Sequence, residues 1–264
     1  MLLTSVILVL QETLEAALLF SILAVITLQI GARPRAWLAS GIVLGAVLAL
    51  VYALNLRRIS GWFDYVGQEL TNAVLQLGMT VTIVALVAWL GRTGLRSPAA
   101  ADGKPTAFNL LCVLVIALAI TREGSEVLVF LGGFLAGGEA LRAVLLGSGI
   151  GFGIGVSVGF LLFYGLLALT PNSRWRGLPL ALLALFSGNK LAQAVLQLTQ
   201  ADWLQAGPAL WDTSSWLPEQ SIVGRLLYAL VGYESSPSAA QVIAYLAGAA
   251  AVPLAYATGR RRRR

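Results

Sequence analysis

Apolar residues form seven long segments along the chain, and short polar stretches separate them. The segments cover residues 4–28, 36–56, 66–90, 108–135, 143–169, 178–198 and 239–257. An α-helix needs about 20 apolar residues to cross the hydrocarbon core of a bilayer, whereas a barrel strand needs about 10 with alternating polarity. The pattern therefore predicts an all-α integral membrane protein with seven transmembrane helices.

The composition agrees with a membrane protein and limits its chemistry. Hydrophobic residues make up 58% of the 264 positions and charged residues only 11%, against about 25% charged residues in a soluble protein. Histidine is absent, and Cys112 is the single cysteine. These counts exclude imidazole ligands, internal disulfides and thiolate metal clusters within the chain. Any metal must be bound through oxygen.

The basic residues predict how the spans are oriented. Counting lysine and arginine between the spans gives twelve on one side of the membrane and four on the other. Basic residues collect on the cytoplasmic side, so we expect the N-terminus outside and the C-terminus inside. Five of the eighteen lysine and arginine residues form the run 260–264. Such a run is typical of a membrane-surface anchor, and we expect lipid rather than nucleic acid as its partner.

Two acidic motifs, 111 positions apart, indicate an internal repeat. Each motif opens a group of three spans, and because three is odd the second group must be inverted relative to the first. The prediction is a 3+3 inverted repeat plus a seventh span, a recurring transporter design. The expected organisation is a single permease domain over 1–264, divided into repeat 1 at about 1–91, a linker at 92–107, repeat 2 at about 108–200, an outer loop at 201–238, the seventh span at 239–257 and the basic tail at 258–264.

The second span of each repeat carries small residues at four-residue spacing. These are Gly41 and Gly45 in the first repeat, and Gly147, Gly151 and Gly155 in the second. Such spacing lets helix backbones approach closely in a membrane. We therefore expect each of these helices to lie tightly against a neighbour.

The acidic motifs place four carboxylates at bilayer depth. A carboxylate there costs about 2.5–3.5 kcal/mol on insertion scales, and such groups are functional by default. Residues three apart share one helix face, which aligns Glu12 with Glu15 and Glu123 with Glu126. If the two helices cross near their middles, the carboxylates supply up to eight oxygens for a hard cation. With Arg122 counted, this expected midplane site carries three net negative charges when ionised.

Two residues beside the glutamates are expected to support the site. Arg122 lies four residues before Glu126 and can form an intrahelical ion pair with it. Gln11 stands at the corresponding position of the first motif, where it can orient Glu15 but adds no charge. The alternative is that the glutamates only tie helices together through ion pairs and hydrogen bonds.

Other polar residues within the spans outline a route for a cation. Glu69 stands at the outer end of the third span, and Lys190 and Gln193 lie on the sixth. We expect all three to line a water-filled path. As alternatives, Glu69 is a solvated helix end and Lys190 only neutralises a glutamate.

The outer loop carries a second group of candidates. Asp212 and Glu219 fit two interpretations: an outer docking or metal-entry station, or, as the favoured alternative, a solvated loop with interfacial tryptophan anchors. The stretch 219–230 is amphipathic. It predicts an interfacial or re-entrant helix on the outer face.

The residues alone leave several functions open. Besides a metal permease, they fit a proton-coupled transporter of another divalent cation or small substrate, with the glutamates as proton relay. An intramembrane enzyme is weakened because no histidine and no convincing nucleophile beside a base is present. A scaffold subunit is disfavoured by the carboxylates at bilayer depth. Oxygen ligands cannot by themselves select iron over manganese, magnesium or calcium.

The two motifs resemble those of the iron permease family of high-affinity uptake systems, whose hallmark is Arg-Glu-x-x-Glu in the first and fourth spans. The motif at 122–126 matches fully, and the motif at 11–15 matches at both glutamates but has Gln11 in place of arginine. Residues before the last span are also similar to bacterial members: Trp211, Asp212, Thr213, Ser214, Gly232, Tyr233, Pro237, Gln241 and Tyr245.

The resemblance implies iron import across the bacterial cytoplasmic (inner) membrane by a protein that is not an enzyme. The four motif glutamates would be the iron ligands, with Fe³⁺ as the favoured cargo and Fe²⁺ as the alternative. An extracytoplasmic oxidase or peroxidase and iron-delivery proteins are the implied partners. The departure at Gln11 leaves the valence preference open.

Overall fold

The computed structural model describes residues 1–94, 106–134 and 139–262. The described residues form eight helices: α1 (Leu2–Gln29), α2 (Arg35–Ser60), α3 (Gly67–Thr93), α4 (Thr106–Gly132), α5 (Glu139–Leu169), α6 (Leu178–Gln200), α7 (Ile222–Val231) and α8 (Ala239–Arg261). All but α7 are long and apolar enough to cross a membrane. The prediction of an all-α chain with seven spans is therefore confirmed. Most of the linker expected at 92–107, the end of the fourth expected span at 135, and Arg263 and Arg264 lie outside the described residues.

The helices pair across the two expected repeats. α1 packs along α5, α2 packs along α4, and α8 lies against both α3 and α6. If α1, α2 and α3 correspond to α4, α5 and α6, the pair of α1 with α5 corresponds to the pair of α4 with α2. The pairing is what a repeat would produce. The inverted repeat and the N-out orientation stay predictions.

Glycines bring the paired helices into close contact. A Cβ atom at Gly151 of α5 would collide with the Val6 carbonyl oxygen of α1. A Cβ atom at Gly45 of α2 would lie 2.6 Å from the Ile120 Cβ of α4. Close backbone approach is what small residues permit between helices in lipid. The predicted tight packing at these two glycines is confirmed.

Large apolar side chains fill one half of the bundle. They lie in the C-terminal halves of α1 and α3 and the N-terminal halves of α4 and α6, and include Leu19, Ile26, Leu86, Phe108 and Phe186. Successive spans alternate in direction, so these helix ends lie on the same side of the membrane. We call this cluster the apolar plug. The polar residues described below lie beyond it, around the middle of the spans.

The segment 201–238, here called the cap segment, enters the other half of the bundle through α7. Ser221 caps α7 by accepting a hydrogen bond from the Gly224 backbone, and Gly232 ends it in the left-handed conformation (φ 71°). Gly232 lies against Asn189, and Asn189 Nδ2 donates to the Tyr228 carbonyl at 3.4 Å. Asn189 is at the middle of α6. The helix expected at 219–230 is thus present, and its depth favours the re-entrant alternative.

Candidate metal centre

Three of the four motif glutamates come together where α1 and α4 meet. Glu12, Glu123 and Glu126 each offer a carboxylate oxygen, and these oxygens all lie within 4.8 Å of one another. Glu12 and Glu123 are buried, and the Glu126 side chain is 35% exposed. The i, i+3 spacing puts Glu123 and Glu126 on one face of α4, so both reach Glu12. Three carboxylates at this separation are hard oxygen ligands suited to one cation.

Glu15, the fourth motif glutamate, is held by a lysine. The Lys190 ammonium, with a fully buried side chain, donates to Glu15 Oε2 and, at 2.7 Å, to Glu123 Oε1. Lys190 comes from the middle of α6, so it joins the two acidic helices from a third one. Of the two expectations for Lys190, the structure shows the neutralising contact with glutamates. Glu15 therefore adjoins the cluster through Lys190.

Arg122 neutralises the other side of the cluster. Its guanidinium pairs with Glu126 Oε1, four residues along α4, and lies 3.5 Å from Glu123 Oε2. The intrahelical ion pair expected from the i, i+4 spacing is present. Arg122 is itself buried, and a buried cation of this kind needs close carboxylates to offset its lost hydration. Glu123 thus contacts both bases of the centre.

Amide side chains continue the polar interior beyond Lys190. Gln193 Oε1 accepts from Gln76 Nε2 at 2.9 Å and lies 3.4 Å from Lys190 Nζ, while Gln193 Nε2 donates to Asn189 Oδ1 at 3.2 Å. Gln193 was expected on the route, but Gln76 of α3 was not singled out. Its signal was the polar series Asn72, Gln76 and Thr80 at four-residue spacing, all buried within an apolar span. These side chains fix the position of the lysine.

A cavity of about 440 Å³ lies between the cap segment, Gln11 of α1, and the adjoining ends of α6 and α8. We call it the cap cavity. Polar residues on its wall include Gln11, Glu219, Arg225, Tyr228, Glu234 and Gln241. Gln11 lies here, and no hydrogen bond joins it to Glu15 in the described chain. The hydrogen bond that Glu15 does accept comes from Lys190, and an orienting role for Gln11 stays a prediction.

The acidic residues of the cap cavity are held by the cap segment itself. Glu219 Oε1 accepts from the Ser235 backbone at 2.6 Å and from its hydroxyl at 3.0 Å. Glu234 Oε2 accepts from Gln241 Nε2 at 2.5 Å. Burial, reinforced by the Glu219 charge, raises the pKa of Glu234 from 4.5 to about 7. Near neutral pH the cavity therefore changes its charge.

Tyr228 was missed by sequence reasoning. It lines the cap cavity from α7. Only the re-entrant path of α7 places it there, so no local sequence signal was available.

The two remaining expected residues lie apart from the carboxylate cluster. Glu69 is in the first turn of α3, half-buried, and its Oε2 lacks a hydrogen-bond partner among the described residues. Asp212 is exposed and is not among the residues lining the cap cavity. Its Oδ1 accepts from the Ser214 backbone at 2.9 Å, and hydrogen bonds from Ser214 lower its pKa. This geometry fits the solvated-loop alternative for Asp212.

A wider and mostly apolar cleft also borders the cluster. It has a volume of about 650 Å³ and lies between α1, α2, α4 and α5, with Glu12 and Glu123 on its wall. Most of the other lining residues are apolar, such as Phe20 and Phe152. Two of the three clustered carboxylates therefore border open space.

Nearly the whole chain matches one protein family. The model of the iron permease FTR1 family covers residues 2–260. This chain belongs to that family. The ferrous iron permease EfeU of Escherichia coli O6:H1 is 26% identical over 245 residues, which cover 89% of this chain and 87% of that one. The permease of the same name from Yersinia pestis is 24% identical over 250 residues, covering 89% and 86%. No solved structure matches.

Family membership decides several of the alternatives left open above. The protein is an iron permease of the bacterial inner membrane with multiple spans, and it is a transporter rather than an enzyme. The intramembrane enzyme and the scaffold subunit are thereby excluded. The findings do not support the expected preference for Fe³⁺, since the curated relatives carry ferrous iron in their names.

Proposed function

We propose that this permease imports Fe²⁺, with Glu12, Glu123 and Glu126 as its ligands at the middle of the membrane. The observation that carries the proposal is the approach of these three carboxylates to within 4.8 Å of one another, in a chain matched by an iron permease model over residues 2–260. Hard oxygen ligands can replace the hydration shell of such a cation. Glu15 contributes charge from the far side of Lys190.

The charge of the centre supports a divalent cargo. Four ionised glutamates carry four negative charges, and the two buried bases, Arg122 and Lys190, return two positive ones. Two negative charges remain, which one Fe²⁺ neutralises. The sequence count included Arg122 alone and left three. Fe³⁺ would leave the loaded centre with a surplus positive charge. Because a buried charge that stays unbalanced is strongly unfavourable, the charge count favours Fe²⁺.

The route we propose runs from the cap cavity to the cytoplasm. Gln11 of the cavity wall precedes Glu12, and Tyr228 of α7 lines the same cavity. The apolar plug closes the opposite side, which the basic residues predict to be cytoplasmic. The described conformation then has its site turned toward the outside. Movement of α1–α3 against α4–α6, as an inverted repeat would allow, opens the plug and closes the cap.

Partners would act at the cap. The oxidase or peroxidase and the iron-delivery proteins implied by the family resemblance stay predictions, and we propose the cap cavity as the place where iron is handed over. Glu219 and Glu234 on its wall supply oxygen ligands, and the cavity is large enough for a partly hydrated ion. Lipid contacts the exposed apolar faces of the spans.

Radioactive iron uptake into proteoliposomes tests this function. With Fe²⁺ kept reduced under anaerobic conditions, the wild-type protein should accumulate iron, and Glu12→Gln and Glu123→Gln should not. Asp64→Asn is the matched control, because Asp64 is an exposed loop acid at a positive φ that asparagine tolerates. Uptake by Glu123→Gln at the wild-type rate would contradict the iron-site assignment. Faster transport of Mn²⁺ than of Fe²⁺ would support the alternative of another divalent cargo.

A further inference from the structure

Lys190 occupies an unusual position for a membrane lysine. Its side chain has no exposed surface, and its ammonium sits between one glutamate of each motif, Glu15 from α1 and Glu123 from α4. A third oxygen, Gln193 Oε1, lies 3.4 Å away. A lysine head group is a compact point charge on a flexible four-carbon stem. The ammonium can therefore move between these oxygens while α6 stays in place.

Glu123 belongs to two groupings at the same time. One of its carboxylate oxygens is part of the cluster with Glu12 and Glu126, and its Oε1 accepts from Lys190 at 2.7 Å. A cation bound by the cluster and the ammonium on Glu123 would be like charges at short range. Like charges repel strongly where water is excluded. The lysine and the cargo therefore compete for Glu123.

We propose that Lys190 is a tethered cation that neutralises Glu123 in the cargo-free permease and is displaced from it when iron binds. This inference rests on the proposed function of the carboxylate cluster. After displacement, the ammonium keeps its bond to Glu15 and moves toward Gln193 Oε1, which is already within 3.4 Å. When iron leaves, the ammonium returns to Glu123. The Glu123 carboxylate therefore has a cation beside it both with and without bound iron.

The tether has two consequences for transport. It weakens iron binding, because part of the attraction of Glu123 for the cargo is spent on displacing the ammonium. It also speeds release, because the departing ion does not leave an uncompensated buried carboxylate, which would be costly. Lys190 is thus a positioning and specificity residue: it contacts the proposed ligand Glu123, and it leaves the cargo-free centre with two net negative charges.

The test separates iron affinity from iron turnover in the full-length protein. Lys190→Gln removes the tether and leaves three net negative charges. Glu15→Gln combined with Lys190→Gln also removes the tether but keeps two, and it carries the test if the single variant does not fold. Binding of Fe²⁺, and of Ga³⁺ as a trivalent probe that is not reduced, is measured anaerobically in nanodiscs. Iron uptake is measured in proteoliposomes.

Both variants should bind Fe²⁺ about tenfold to a hundredfold more tightly than the wild type and transport it more slowly. The single variant should gain more affinity for Ga³⁺ than for Fe²⁺, because its extra negative charge favours the trivalent ion. Weaker binding together with slower uptake in the double variant would show a merely structural role and overturn the proposal. Unchanged affinity and uptake would overturn it as well. Failure of the iron site itself would appear differently, as wild-type protein that binds no Fe²⁺ and is indifferent to Glu123→Gln.

Discussion

The two acidic motifs have the same spacing but obtain their positive charge from different places. On α4, Glu126 pairs with Arg122 of its own helix, whereas on α1, Glu15 pairs with Lys190 of α6. Gln11 stands 111 positions before Arg122, and Met79, a buried residue of α3, stands 111 positions before Lys190. Both bases therefore come from the second expected repeat, and the first has uncharged residues at the corresponding positions. The charge that Gln11 lacks is supplied by another helix.

This difference divides the glutamates into two roles. Glu126 lies in the carboxylate cluster and is partly exposed, so it can exchange water for metal. Glu15 is buried and bonded to Lys190, so it is fixed before any metal arrives. We therefore propose different roles for two residues that look equivalent in the sequence. Glu126 is expected to act in binding, and Glu15 in maintaining the cargo-free structure.

The largest expected effect comes from substituting these two glutamates separately. Glu126→Gln should weaken Fe²⁺ binding about a hundredfold or more, since it removes a direct ligand, and Glu15→Gln should weaken it by about tenfold. For the stability of the metal-free protein, we expect Glu15→Gln to have the larger effect. Glu15→Gln should lower the free energy of unfolding by about 1.5–3 kcal/mol because it removes a buried charged hydrogen bond, and Glu126→Gln by about 1 kcal/mol or less.

Titration calorimetry measures the Fe²⁺ affinities of these variants, and thermal unfolding of the same detergent-solubilised samples measures their stabilities. Asp64→Asn serves as the control and should change neither. If one glutamate dominated both measurements, the division of roles would be wrong, and the motifs would be functionally as well as locally alike.

The sequence predicts the motifs well and their partners poorly. The spans follow from long apolar runs. The shared face of Glu12 with Glu15, and of Glu123 with Glu126, follows from helical periodicity, and the Arg122 pair from its i, i+4 spacing. The reach of Lys190 to Glu15 depends on how far α6 leans between α1 and α4, which is set by packing along the whole helix. No local pattern encodes that distance. The same applies to Tyr228, whose position depends on the path of the cap segment.

The glycine contacts that hold the two motif helices give the next effect. Gly151→Ala should lower stability by about 1–3 kcal/mol through overpacking, because the added Cβ would meet the Val6 carbonyl of α1. Gly149→Ala is the matched control, two residues away on the same helix, where an added Cβ meets nothing within 4 Å. Gly45→Ala tests the corresponding contact of α4. Thermal unfolding in detergent measures all three, and equal midpoints for Gly151→Ala and Gly149→Ala would contradict the close α1–α5 contact.

A smaller effect tests whether the missing arginine and the distant lysine are interchangeable. In the Lys190→Gln background, Gln11→Arg places a guanidinium four residues before Glu15, as Arg122 stands before Glu126. About 1–2 kcal/mol of the lost stability should return through this charged hydrogen bond. Gln11→Leu in the same background is the control for side-chain volume and should restore none of it. If arginine restores no stability, α1 places residue 11 too far into the cap cavity for it to pair with Glu15 as Arg122 pairs with Glu126.

The smallest expected effect concerns the cap cavity. Among the residues that line it, Gln11 is the one that belongs to an acidic motif, and this is the first motif. The pKa of Glu234 rises from 4.5 to about 7 because of burial and the nearby charge of Glu219. The folded protein therefore holds this proton more tightly than the unfolded chain, so the contribution to stability is complete below about pH 4.5 and is lost as the pH rises through about 7. The contribution should be near 1 kcal/mol, since Glu234 is partly solvated, and it should appear as a higher unfolding midpoint at pH 5 than at pH 8. Glu234→Gln should reduce this difference, whereas Asp64→Asn should leave it in place.

Iron uptake should change in the opposite direction, falling as the pH drops through about 7, because a protonated Glu234 no longer attracts Fe²⁺ to the cavity beside the first motif.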